Sequence, residues 1–149
     1  MSDVTPRTFR DDLLGAFNTY WTALHSDVPI AFPNVVFDPE DVGESDTGAW
    51  VRVAIVGSSE GGQIRYSNSV ARNHWQRNGK ITFEVYVREQ ASTDRIYDLV
   101  DDIALFLENP GSDFAVISNI SAPVELGPDG TWFQVSLSAD WLYFTDRAA

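Results

Sequence analysis

Residues 78–88, Asn-Gly-Lys-Ile-Thr-Phe-Glu-Val-Tyr-Val-Arg (NGKITFEVYVR), decide the fold class. Ile81, Phe83, Val85 and Val87 alternate with Thr82, Glu84, Tyr86 and Arg88, a period of two that sends one set into a core and the other toward solvent. This is a half-buried strand. Asn78 and Gly79 both tolerate positive φ and form the strongest hairpin signal in the chain, so a reversal is expected there. Before it, Gln63 to about Gln76 reads as a more polar strand or long loop.

Upstream, Trp50 to Val56 is a strand by its β-branched content, and Gly57, Gly61 and Gly62 mark a turn out of it. Thr5 followed by Pro6 reads as an N-cap with proline at the first helical position, where a missing N–H is harmless. Phe9, Leu13, Phe17, Tyr20 and Leu24 then recur at helical spacing, with Leu14 and Trp21 widening the stripe. Pro29 and Pro33 close that segment, and PNVVF (33–37) reads as a short extended piece.

Downstream, Thr93 caps a second helix from Asp94 to about Glu108. Ile96, Leu99, Val100, Ile103 and Leu107 lie on its apolar face, Asp98, Asp101, Asp102 and Glu108 elsewhere, and Asn109-Pro110-Gly111 ends it. An apolar stretch from Phe114 to Leu126, a turn at Gly127-Pro128-Asp129-Gly130 and a strand from Trp132 to Phe144 follow. Phe133, Val135, Leu137, Ala139, Trp141 and Tyr143 share one face of that strand. Two one-sided helices need a sheet to cover them. The order predicts one α+β domain over residues 1–149, a mainly antiparallel sheet packed by two amphipathic helices, with an acidic loop at 38–49 and a hairpin arm at 57–80.

The 149 residues, 44% apolar, suffice for one buried core. No apolar run approaches the ~20 residues of a membrane span, and the first residues lack a secretory pattern, so a soluble protein made in a cytoplasm is expected. Zero cysteines exclude disulfides, thiolate metal sites and cysteine nucleophiles. A net charge of −12 opposes strong nucleic-acid affinity. Charge is also unevenly placed. Between Glu60 and Glu84 there is no acid, only Arg65, Arg72, Arg77 and Lys80, whereas after Arg95 nine acids accompany Arg147 alone.

Catalytic and metal motifs fail on inspection. Asp38, Glu40 and Gly43 fit positions one, three and six of a calcium loop, but Val42 and Ala49 stand where oxygen ligands are needed. The GSSEGGQ segment (57–63) has no lysine to act as a phosphate loop, no G-x-S-x-G elbow exists, and His25 and His74 lie on different elements. Asp101 and Asp102, adjacent on a helix, point in different directions and do not face one substrate. No cofactor and no metal are expected. Interleaved bases and aromatics from Arg65 to Lys80 resemble a single-strand nucleic-acid surface, but a basic arm meeting an acidic patch on another copy of the chain suits the charge asymmetry better.

An N-terminal amphipathic helix, PNVVF with an acidic linker, WVRVAI (50–55), NGKITFEVYV, RIYDLVDDIALFLE (95–108) and DGTWFQVSLSADWLYF (129–144), in that order, resemble the tail terminator proteins of long-tailed bacteriophages and prophages. The likeness runs from about Pro6 to Phe144 and rests on order and character. The REQASTD segment (88–94) departs from the glycine-containing stretch that such proteins often carry before the second helix.

The resemblance implies a non-enzymatic virion protein at the head-proximal end of the tail, assembled in the host cytoplasm. It implies a homo-oligomer, a hexameric ring, that caps the tail tube, stops its polymerisation and presents the surface that joins the head through a neck connector. DNA would pass through the ring without specific binding. Glu40, Asp41, Glu44 and Asp46, or the helix face with Asp98, Asp101 and Asp102, would line such a passage. The set not used there would meet a neighbour's Arg65, Arg72, Arg77 or Lys80. The rival expectations are another neck or tail-completion component of the same fold, or a small acidic ligand-binding module using Trp50, Trp75 and Trp132.

Overall fold

In the computed structural model, residues 4–33, 35, 37–39, 48–57, 62–64, 72–88 and 93–148 are described, with the backbone alone at 62–64, 72–75, 93, 129 and 145–148. The first helix, α1 (Pro6–Leu24), begins as its sequence dictates: Thr5 Oγ1 accepts from the Thr8 amide, and Pro6 occupies the first turn. Phe9, Leu13, Leu14, Phe17 and Trp21 are its buried stripe. Leu24, expected on that stripe, is 54% exposed, because the helix ends there and His25 caps it with a 2.7 Å bond to the Trp21 carbonyl.

The extended piece after α1 is β1 (Ile30–Ala31), earlier than the expected 33–37, and it pairs in parallel with β2 (Ala49–Gly57). Its place is set by Trp21, whose indole N–H donates 3.1 Å to the Val28 carbonyl, and by the Val51 amide on the Pro29 carbonyl at 3.0 Å.

The sheet is organised by two long strands, β4 (Arg72–Arg88) and β7 (Trp132–Ala148), which pair antiparallel residue for residue along their length. At 17 residues each they span about 56 Å. Along the outer edge of β4 lie β2 and the short β3 (Gly62–Ile64), end to end and both antiparallel to it. Along the outer edge of β7 lie β5 (Val116–Ser118) and β6 (Val124–Asp129). The sheet is thus mixed but mostly antiparallel, and the fold is α+β.

Asn78 and Gly79 form no turn. They sit inside β4, opposite Leu142 and Trp141, and the chain reverses instead between Ile64 and Arg72. Gly79 is required by close approach: a Cβ there would stand 2.0 Å from the Val56 carbonyl oxygen and 2.6 Å from the Trp141 ring. The turn expected at 127–130 also moves. Pro128 and Asp129 remain paired with Phe133 and Trp132, so the reversal is the two-residue Gly130-Thr131 with Gly130 at φ +64. Gly127, at φ +80, takes up a bulge one step earlier.

The second helix, α2 (Thr93–Glu108), starts one residue before the expected Asp94. It buries Ile96, Leu99, Val100, Ile103 and Leu107 as its spacing requires, and also Phe106. Both helices cover the same face of the sheet. Their stripes meet Val51, Val53, Ile81, Phe83, Val85, Val87, Val135, Leu137 and Ala139 in one core, and Phe9 stacks on Tyr143 at 4.4 Å. Between the helices, the Tyr20 hydroxyl donates 2.7 Å to the Asp102 carbonyl, and Asp12 accepts from the Ser112 hydroxyl and, at 3.2 Å, from the Asp113 amide. No helix among the described residues is long and apolar enough to cross a membrane.

Candidate functional site

Because α1 and α2 occupy one face, the even-numbered residues of β4 and β7 project from the opposite face, which neither of these helices covers. Its chemistry falls into two zones. The first is an aromatic cluster at the β1 side. Trp50 stacks on Tyr86 with centroids 4.0 Å apart and planes 4° apart, Trp132 meets Trp50 edge-on at 6.1 Å, and Phe37 adds a contact at 4.9 Å. Arg52 lies 5.3 Å over Trp50, and Arg88 lies 4.1 Å over Trp132. Trp50 and Trp132 are 3% and 7% exposed, so they bury one another instead of forming the open ligand surface expected of them.

The second zone is a cavity of about 630 Å³ midway along the β4–β7 ladder, bordered by Val56, Asn78, Lys80, Asn119, Asp140 and Leu142. Lys80 and Asp140 are register partners on neighbouring strands, and the ammonium donates to the carboxylate at 3.1 Å. Asn119 donates to the other oxygen of Asp140 at 2.8 Å from a backbone with φ +51, a region that asparagine tolerates better than most residues. These bonds, Asn119 first and Lys80 second, hold the Asp140 carboxyl below the usual carboxylate range. Their stabilising contribution is present above the ordinary carboxylate pKa and is lost as pH falls through the lowered value of the folded state. Titration of Asp140 by carboxyl carbon NMR is expected to give a midpoint below that of an exposed aspartate. Asn119→Ala should raise it more than Lys80→Met, and an unchanged midpoint in both would contradict the assignment.

The opposite side of the molecule is acidic. On α2, Asp98, Asp101, Leu105 and Glu108 follow each other at intervals of three, four and three residues, all exposed, with Leu105 at 57%. Asp102, grouped with Asp98 and Asp101 by sequence, turns inward. Its carboxylate meets His25 Nε2 at 2.5 Å, with the Trp21 ring tilted against the imidazole at 4.5 Å. This contact joins the end of α1 to α2, and neither residue is free to face a passage or a neighbour.

Of the remaining sequence candidates, Arg77 is half-buried on the helix side of β4 opposite Tyr143, and the Arg72 backbone pairs with Ala148 at the far end of the ladder. Glu40, Asp41, Glu44, Asp46 and Arg65 lie outside the described residues. Lys80, expected to seek a neighbour's acid, already has Asp140; at 67% side-chain exposure it retains donors for a second partner. Sequence reasoning missed Arg52, Leu105, Asn119 and Asp140. The first two were legible as outward positions of a strand and a helix, but Asn119 and Asp140 meet Lys80 only through the β4–β7 register. Among the described residues, no three His, Asp or Glu side chains converge as metal ligands would.

No family model matches the chain, and no curated protein matches it. Among the solved structures that match, one superposes on it with a TM-score of 0.57, covering 93% of this chain and 95% of its own at 17% identity. That likeness shows the fold alone: an α+β domain with two helices on one side of a mostly antiparallel sheet.

Proposed function

We propose that the chain is a structural, ring-forming subunit of a long-tailed phage or prophage particle, a tail terminator that caps the tail tube and offers the head-joining surface. The observation that supports this reading is the division of the molecule into two unlike faces. The described side chains of the face opposite α1 and α2 carry Arg52, Lys80 and Arg88 against Glu84 and Asp140, whereas α2, with Asp102 turned inward to His25, carries Asp94, Asp98, Asp101 and Glu108 against Arg95. Three bases less two acids leave +1 on the sheet; one base less four acids leaves −3 on the outward side of the helix. Unlike, complementary patches on one subunit associate head to tail, and such contacts close into rings. Acidic surface left facing the central passage would repel phosphate and give DNA no adhesive stop. The sequence resemblance supplies the particle and the position within it.

Light scattering on the purified chain should give a mass near six times 16.6 kDa, and cryo-electron microscopy of intact particles should place it where tail tube meets neck. A different neck component of the same fold would form a ring elsewhere in the particle, and the micrographs separate the two. A chain found nowhere near that junction would end the proposal.

A further inference from the structure

The cavity on the sheet face opposite α1 and α2 has no part in the ring reading, and its walls carry the chemistry of a ligand site. Its floor is one register row across four strands: Val56 on β2 pairs with Lys80 on β4, Lys80 with Asp140 on β7, and Asp140 with Ser118 on β5. Asn78 and Leu142, partners in the next row on the same face, and Thr82 on the other side complete it. At about 630 Å³ it falls in the range of small-molecule sites, about 300–1,000 Å³.

The walls select against ions and flat rings. Lys80 and Asp140 offset each other's charge at 3.1 Å, so an incoming anion or cation competes with a pair already formed. Trp141, the only ring among the described lining residues, is 6% exposed and leaves a nucleobase no face to stack on. Hydrogen-bonding capacity remains. The Lys80 ammonium keeps donors beyond the one given to Asp140, and the Asp140 oxygens keep lone pairs after accepting from Lys80 and Asn119. Thr82 and Ser118 add hydroxyls, and Asn78 Oδ1 is buried with no donor among the described residues. Beside these groups, Val56, 60% exposed, and Leu142 supply aliphatic surface.

We propose that this cavity binds a neutral saccharide, whose hydroxyls both give and accept hydrogen bonds and whose ring carries an apolar C–H face. Lys80 donates to the hydroxyls, Asp140 accepts from them, and rotation of the Asn78 amide toward the cavity gives its oxygen a donor. Val56 and Leu142 cover the ring, and Asn119 is a positioning residue that orients the Asp140 carboxylate.

The test applies the full chain, carrying a terminal affinity tag for detection, to an array of neutral, sialylated and sulfated glycans. The retained sugar is then titrated against the chain by two-dimensional NMR. Neutral glycans are expected to be retained over acidic ones, with saturable shifts at the side-chain amides of Asn78 and Asn119. Lys80→Met, checked for folding by circular dichroism and a melting curve, should weaken binding about tenfold or more, as loss of a charge-assisted hydrogen bond requires, and Asn78→Leu by less. Saturation by a free monosaccharide marks a soluble sugar as the source, and retention of oligosaccharides alone marks a glycan chain end; either supports the site. No retained neutral glycan, a preference for acidic ones, shifts confined to other residues, or binding unchanged in both folded variants overturns it, and none of these outcomes bears on the ring.

Discussion

Phe17→Ala is expected to destabilise the chain by about 3–5 kcal/mol, the usual cost of emptying a large aromatic site in a core. Phe17 is fully buried and touches three elements at once: Trp21 on its own helix at 5.5 Å, Phe83 on β4 at 4.7 Å and Phe106 on α2 at 5.1 Å. Removing the ring deletes a contact that ties α1 to both the sheet and α2, and the backbone around it, held by sheet and helix hydrogen bonds, only partly collapses into the space. Each kcal/mol lowers Tm by about 2–4 °C in a domain of this size, so a drop of about 6–20 °C should appear in thermal scans. Leu24→Ala serves as the control, since a half-exposed helix-end side chain should cost within about 0.5 kcal/mol. A Phe17 variant that melts like the control would show that the helices do not share one core with the sheet.

Gly79→Ala should be nearly as severe for an unrelated reason. The new methyl would overlap the Val56 carbonyl oxygen at 2.0 Å and the Trp141 ring at 2.6 Å, and it would lie 2.9 Å from the Gly57 Cα. Two of these neighbours are backbone atoms in the β2–β4 ladder, so relief requires breaking the pairs Val56↔Lys80 and Gly57↔Gly79. Overpacking of this kind costs about 1–3 kcal/mol and occasionally more, and the backbone clash places Gly79→Ala at or above the top of that range. Gly57→Ala is the discriminating partner, because nothing lies within 4 Å of a Cβ at Gly57. Removing chain entropy from the unfolded state should leave that variant unchanged or slightly stabilised. Equal melting temperatures for the two alanine variants would contradict the mid-strand placement of Gly79.

The helices were readable because their signals are local. Thr5-Pro6 and the spacing from Phe9 to Trp21 specify α1 within a few turns of chain, and the apolar positions from Ile96 to Leu107 do the same for α2. Strand faces were equally plain from period-two alternation in 81–88 and 133–143. Asn78-Gly79 was misleading for a physical reason: glycine suits both a positive-φ turn and a crowded strand, and which demand applies depends on what lies beside it. The tip at Gly130-Thr131 was shifted for a related reason, since a bulge at Gly127 absorbs one turn signal and leaves pairing intact to Asp129.

Side-chain partners across the sheet were not readable from one sequence. Lys80 finds Asp140, and Asp140 finds Asn119, only once β4 and β7 adopt a register; Asp102 turns to His25 only once α1 and α2 lie side by side. Amphipathic period, capping and the α+β class belong to the amino-acid order, because each follows from backbone geometry over a few neighbouring residues. The long β4–β7 ladder, the gathering of both helices on one face and the aromatic cluster on the other belong to the folded chain. They arise from pairings between residues as much as 76 positions apart, from Arg72 to Ala148, which no local pattern encodes.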